Sequence, residues 1–275
     1  MSTNCSHKCE SCKENCSERS FIVQPLESTH IKKIIGVVSG KGGVGKSVTT
    51  SLLASLVVKS GFTSAILDAD ITGPSIPKML GINHKAVGDG NAIFPNVTKT
   101  GIKVMSINLL IQDEGQPVVW RGPILAGTVK QFYQEVLWED VDFMFVDMPP
   151  GTSDVPLTVY QSLPIDGIVI VTSPSDLVNM IVDKAINMAN MMNIPILGVV
   201  ENYSYLQCPN CEERINVFGE SHIKEILADK GLNLLAQIPI DPAISKACDQ
   251  GLIEEYNSKE LEAVKGVFFD LLKED

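Results

Sequence analysis

Eight residues, Gly40-Lys41-Gly42-Gly43-Val44-Gly45-Lys46-Ser47, carry the densest chemistry in the chain. Glycines at 40, 42, 43 and 45 open the backbone so that a phosphate can approach its N–H groups. Lys46 has the reach to neutralise the β- and γ-phosphates, and the Ser47 hydroxyl suits Mg²⁺. Gly40, Gly42, Gly43, Val44, Gly45, Lys46, Ser47 and Val48 therefore form a candidate nucleotide cradle. Two further acidic segments, Asp68-Ala69-Asp70 and Asp147-Met148-Pro149-Pro150-Gly151, lie at the ends of apolar runs. Carboxylates beside a phosphate loop are what Mg²⁺-dependent hydrolysis requires. Asp70 is assigned to the attacking water and Asp147 to Mg²⁺ through water, with Asp68 supporting either. Gly151 is a candidate switch residue, its N–H available to the γ-phosphate.

A second chemistry belongs to sulfur. Cys208-Pro209-Asn210-Cys211 spaces two thiolates so that both reach one metal or cluster. Soft thiolates suit Zn²⁺ or iron–sulfur clusters, and either wants four ligands. Two chains about a two-fold axis would supply four. Cys5, Cys9, Cys12 and Cys16 form C-x3-C-x2-C-x3-C, a set that can hold one zinc or one cluster within a single chain. Cys248 stands alone and reads as an incidental thiol.

These residues need a scaffold of strand ends. Short apolar runs predict strands at 33–39, 64–69, 142–147, 167–172, 195–201 and 233–238. Several are apolar throughout, the pattern of a parallel sheet covered on both faces. Helices are predicted at 46–60, 122–138, 154–163, 175–192, 219–230 and 258–273, and a hairpin within 92–110 around Lys99-Thr100-Gly101. The expected fold is an α/β P-loop NTPase, a doubly wound and mainly parallel sheet with helices on both faces. Ligands in such sheets bind beyond the carboxyl ends of the strands, where the motifs fall. Two zones are expected: 1–28, a cysteine-rich metal- or cluster-binding segment, and 29–275, the P-loop domain. Met180, Met188, Met191 and Met192 share one helix and read as core packing.

The chain has 275 residues, is 44% hydrophobic and carries a formal charge of -11. Such an acidic surface argues against nucleic acid and anionic membrane as general partners. No apolar run has the length of a transmembrane helix, and the first residues lack the apolar core of a secretory signal. A cytoplasmic location is expected, where seven cysteines point to metal or redox chemistry before disulfides.

GKGGVGKS with its extra Lys41, DAD-x-x-GPS at 68–75, WRGP at 120–123 and DMPPGTSD at 147–154 closely resemble the Mrp/ApbC family of iron–sulfur carrier proteins. The resemblance covers about residues 31–257. It implies ATP and Mg²⁺ as ligands, slow ATP hydrolysis, and a labile [4Fe–4S] cluster bridging two subunits through Cys208 and Cys211. It implies a homodimer in which Lys41, the signature lysine of the deviant phosphate loop, reaches the partner's nucleotide. Apo iron–sulfur proteins would be the recipients. Asn202, in Val199-Val200-Glu201-Asn202-Tyr203-Ser204, matches the family's adenine-binding asparagine. Asp241 lies where the class closes over base or ribose, although an Asp before Pro-Ala-Ile also suits a helix cap. Arg121, in WRGP, belongs to the dimer-facing segment of the family. The N-terminal cysteines depart from most bacterial members and are closer in idea to eukaryotic scaffold relatives, with different spacing. Competing readings are a positioning ATPase of the Min/Par class, an electron donor like the nitrogenase iron protein, and a zinc-stabilised nucleotide switch protein. The first leaves the CPxC pair unexplained, and the second needs cysteines near the switch loops that are absent here.

Overall fold

Alternate residues of one buried strand face two different cores. In β1 (His30–Val38), Ile34 and Val38 pack on one side of the sheet, and Ile35 and Val37 on the other. A computed structural model describes residues 22–70, 75–111, 122–151, 154–174 and 178–273. Its main sheet has the order β12-β9-β8-β1-β7-β2-β6-β5. Those strands are β2 (Ser64–Asp68), β5 (Asn96–Val97), β6 (Lys103–Met105), β7 (Asp140–Asp147), β8 (Gly167–Thr172), β9 (Ile196–Glu201) and β12 (Leu234–Gln237). All pairs are parallel except β5–β6, the hairpin expected around Thr100. Two small antiparallel pairs stand apart: β3 (Val87–Gly88) with β4 (Ile93–Phe94), and β10 (Leu206–Gln207) with β11 (Arg214–Ile215).

Helices cover both faces, as parallel connections demand. α1 (Lys46–Lys59), α7 (Pro242–Gln250) and α8 (Val264–Leu271) pack on one face through Leu53, Ile244 and Phe268. α3 (Gly122–Glu135), α4 (Asp154–Ser162), α5 (Val178–Met191) and α6 (Ile223–Lys230) pack on the other through Phe132, Val159, Val182 and Leu227. A short α2 (Ile76–Met79) packs by α7. The six expected main strands are all present.

Three helical expectations need correction. α6 starts at Ile223 rather than 219, beyond Gly219 and a Ser221 whose hydroxyl bonds Glu201. The C-terminal helix is split, with a 3₁₀ turn at Lys259–Leu261 before α8. Leu261, Val264 and Phe268 nonetheless bury together, so this segment packs on the domain as expected. Of the four methionines, Met188 and Met192 pack against the core, whereas Met180 and Met191 are exposed.

Candidate functional site

Register brings the carboxylates together. β7 lies between β1 and β2, and Asp147 pairs in register with both Val37 and Asp68. The loop leaving β1 therefore stands over two strand ends that carry aspartates. It enters α1 through Gly43 and Gly45, each with φ of 80°. Only glycine adopts that conformation without strain.

Glycine serves the loop in two ways. A Cβ at Gly42 would meet nothing within 4 Å, so its backbone is open to a ligand. Gly40 and Gly45 answer to the protein instead. A Cβ at Gly40 would lie 2.3 Å from Ile181 of α5, and one at Gly45 would lie 2.0 Å from Asn202 Nδ2. Two neighbouring elements thus hold the loop in shape.

Asp147 is the hub. Its carboxylate is fully buried and accepts from Ser47 Oγ at 2.6 Å and Thr50 Oγ1 at 2.8 Å. The Lys46 ammonium, also buried, stands 2.8 Å from Asp147 and 3.4 Å from Asp70. Burial lowers the Lys46 pKa, but Asp147 and then Asp70 outweigh it, and the net shift is upward. Asp68 accepts from Ser106 Oγ at 2.9 Å and from the Asp70 N–H at 3.1 Å. Burial first, then the Asp147 charge, pushes its carboxyl well above the usual range despite the opposing pull of Lys46. Gly151 has φ of 86° and donates its N–H to Ser39 O at 2.9 Å. Donation to a phosphate there requires exchange of this bond.

Asn202 is buried and donates Nδ2–H to Val44 O at 3.0 Å. It lines a cleft of about 470 Å³ with Val48, Met79, Tyr203, Ser245 and Cys248. One amide hydrogen holds the loop, and the residue forms part of the cleft wall. Asp241 has the local role that its sequence context allowed. It caps α7 through Ala243 N at 2.8 Å, and its other oxygen accepts from Tyr256 OH at 2.7 Å. It lines the cleft as part of the wall 239–242.

The same wall has a second face. Residues 239–242 also border a groove of about 700 Å³ with Cys208, Pro209, Glu212 and Lys259. Cys208 and Cys211 sit in the turn joining β10 to β11, closed by Cys208 N–H to Glu213 O and Glu212 N–H to Cys208 O. The Asn210 N–H, then the Cys211 N–H and side chain, hold the Cys208 thiol below the ordinary cysteine range. Cys211 is exposed. Among the described residues no three His, Cys, Asp or Glu side chains converge on a metal site. Cys5, Cys9, Cys12, Cys16 and Arg121 lie outside the described residues. Lys41 is half-buried at the start of the loop.

Sequence reasoning missed Thr50, Ser106, Tyr256 and Ile181. Thr50 was findable, because it lies one turn beyond Lys46 and three residues beyond Ser47 on the same helix. The other three depend on pairings that no local pattern announces.

Comparison with known proteins settles the lineage. Residues 30–272 match the family described as ParA, the NUBPL iron-transfer P-loop NTPases. The chain belongs to the iron–sulfur cluster carrier family of P-loop NTPases. An iron–sulfur cluster carrier protein of Clostridium perfringens is 42% identical over 259 residues, covering 90% of this chain and 91% of that one. The nucleotide-binding protein of Archaeoglobus fulgidus, in complex with ADP, superposes with a TM-score of 0.76 at 41% identity, over 84% of this chain and 91% of that one. The MinC:MinD cell division complex of Aquifex aeolicus gives 0.62 at 19% identity, covering 88% of this chain and 96% of the matched chain. That last likeness is one of fold alone. Carrier-family membership thus accounts for the P-loop NTPase core.

Proposed function

We propose that the protein is a cytoplasmic, ATP-dependent carrier that holds a [4Fe–4S] cluster between two copies of the chain and passes it to apo-proteins. The carrying observation is that Cys208 and Cys211 share one exposed turn whose neighbouring wall, 239–242, also borders the nucleotide cleft. Two thiols make half of a four-ligand set, and a second copy completes it. The cluster is cargo here, and the thiol turn is its berth.

The nucleotide half follows from the loop. Open N–H groups at Gly42 and Gly43, with Lys46, suit the phosphates. Mg²⁺ fits the donor set, because the Ser47 hydroxyl and the Asp147 carboxylate are hard oxygens within 2.6 Å of each other at the loop. Bound there, Mg²⁺ would neutralise charge developing on the phosphates. Asp70 orients the attacking water, and Lys41 reaches toward the partner's nucleotide. The phosphates would draw the Lys46 ammonium out of its contact with Asp147 and Asp70. Gly151 would exchange Ser39 O for the γ-phosphate and revert after hydrolysis.

Coupling has a short physical route. Asp241 fixes α7 and Tyr256, and the Lys59 ammonium at the end of α1 bonds Tyr256 O at 2.8 Å. Ile240 N–H bonds Tyr205 O at 2.7 Å, three residues before Cys208. Strain on the wall therefore reaches the thiol turn, provided both ligands bias one two-state interface. Anaerobic reconstitution of wild type and the Cys208→Ala/Cys211→Ala variant tests the whole reading. Wild type should transfer its cluster to an apo-acceptor and accelerate with ATP, and the variant should transfer none. Transfer by the variant at the wild-type rate would sink the proposal.

A further inference from the structure

One buried carboxylate stands between the two chemistries. Glu201 ends β9, is fully buried and is followed in the chain by Asn202, whose side chain holds Val44 O of the phosphate loop. The Glu201 carboxylate accepts from Ser204 Oγ at 2.5 Å, from Ser221 Oγ, and from Gln237 Nε2 at 2.8 Å. Gln237 Nε2 also donates to Ser204 Oγ at 3.0 Å. All three donors to the carboxylate are neutral. Burying a carboxylate costs stability unless it is hydrogen-bonded, and even then an apolar side chain often serves a core as well. A fully satisfied network of this kind fixes geometry.

What it fixes is the thiol hairpin. Ser204 precedes β10 and Ser221 follows β11, so a single side chain gathers both roots of the segment that carries Cys208 and Cys211. Within that segment Leu206 pairs with Ile215, and the Arg214 guanidinium stands 4.2 Å from the centre of the Tyr205 ring. The two strands are thus cross-linked just above the clasp and move as one piece. Ser204, Ser221 and Gln237 line a surface groove of about 270 Å³, so water can take over a hydroxyl's bond when the clasp opens.

We infer that Glu201 is a positioning residue through which the nucleotide site governs the opening of the thiol hairpin. Asn202 and Glu201 are joined by one peptide bond at a strand end, so a shift of Asn202 on the phosphate loop moves the clasp with it. The hairpin follows as a unit, because both of its roots hang on that one carboxylate. This route is separate from the wall at 239–242. It deepens the carrier reading above and rests on it for what the hairpin carries. The physical warrant for such a relay is a hairpin equilibrium that nucleotide shifts, and that equilibrium can be measured without any cluster.

Amide hydrogen exchange in the full metal-free chain, with and without a non-hydrolysable ATP analogue, tests the relay. The N–H groups of Cys208 and Glu212, which close the thiol turn, are the readout. In wild type the analogue should change their exchange at least ~5-fold. Glu201→Ala and Ser221→Ala should each cut that response below ~2-fold, whereas Ser221→Thr, which keeps a hydroxyl, should respond as wild type does. Ser221→Ala carries the test if Glu201→Ala fails to fold. Its affinity for the analogue should stay at the wild-type value, because Ser221 does not border the base cleft. A Glu201 that only stabilises the fold would leave the response to the analogue intact in Ser221→Ala, and that result overturns the inference. So does a wild type whose exchange ignores the analogue, or a Ser221→Ala chain that no longer binds it, since Ser221 would then belong to the nucleotide site. Iron and sulfide uptake, measured on the same proteins, separates the two proposals. A wild type that responds to the analogue but takes up no cluster supports the relay and overturns the carrier reading. One that takes up cluster without responding overturns the relay alone.

Discussion

The nucleotide end and the cysteine end of this chain are built on opposite principles. At the nucleotide end, Lys46, Asp68 and Asp147 are buried, and hydroxyls of Ser47, Thr50 and Ser106 satisfy the two carboxylates. Three parallel strands place those groups by register, so the geometry is inherited from the core. At the cysteine end, a two-stranded hairpin of two residues per strand carries both thiols, and every residue from 211 to 220 is exposed. A hairpin this small gains little from the core and is shaped by its own turn. The difference teaches where each function can tolerate motion. Chemistry on a phosphate needs fixed dipoles, whereas on the carrier proposal the cysteine turn must open to take up and release its cargo.

The comparison breaks most visibly at Asp147. Asp147→Ala removes the carboxylate nearest the buried Lys46 ammonium and the acceptor of the Ser47 hydroxyl, while Thr50 keeps only its bond to Lys46 O. Removing one partner of a buried pair costs about 3–5 kcal/mol, and hydrolysis should fall at least ~100-fold. Urea unfolding and ATP turnover check both. A loss below about 1 kcal/mol would mean that the nucleotide end is no more core-dependent than the hairpin.

Asp68 sharpens the same contrast through pH. Its folded carboxyl titrates well above its ordinary value because of burial and Asp147. A group raised in this way contributes stability below its unfolded pKa, and that contribution is lost as pH rises through the folded pKa. Asparagine is neutral throughout. Asp68→Asn should therefore gain stability relative to wild type as pH rises above about 4, the ordinary carboxylate value. Unfolding curves across that rise measure the trend, and a constant difference would show that Asp68 is ionised without penalty.

A smaller effect is expected where the two regions meet. Asp241→Ala removes the cap of α7 and the acceptor of Tyr256 OH, at about 1 kcal/mol. Because 239–242 walls both the cleft and the groove, ATP affinity and cluster release rate should both change. If the stability loss appears while both ligand properties stay at wild-type values, the wall does not couple the two ends.

How much of this was legible depended on range. β8, Gly167–Thr172, was read directly because a strand buried on both faces is apolar throughout. The loop, Lys46, Ser47 and the two aspartate segments were read because their spacing is local. Ser106 was not, since it meets Asp68 only once β2 and β6 pair in register, whereas Thr50 was within reach of helix spacing and was passed over. α7 received no predicted range because its apolar stripe, Ile244, Ala247 and Cys248, is short, although Asp241 before Pro242 announced its cap. Asn202 was identified for a base, and its bond to Val44 O adds a scaffold role that sequence could not reveal. The apolar run at 215–218 was visible in the chain, but its exposure was not.

The smallest stability effect is expected at the cargo end. Cys208→Ala/Cys211→Ala changes half-exposed and exposed positions in a turn held by backbone bonds from Cys208 N–H to Glu213 O and from Glu212 N–H to Cys208 O. Neither bond uses a sulfur atom, so unfolding of the metal-free chain should shift by no more than about 0.5 kcal/mol. ATP affinity of that chain should also match wild type, because no atom of either cysteine borders the base cleft. Cluster uptake, read as iron and sulfide per chain, should vanish. The variant thus separates the two ends completely, the fold and nucleotide site standing while the berth is gone. A destabilisation above about 2 kcal/mol in metal-free protein would contradict this, because it would make the thiols structural members of the core rather than ligands presented beyond it.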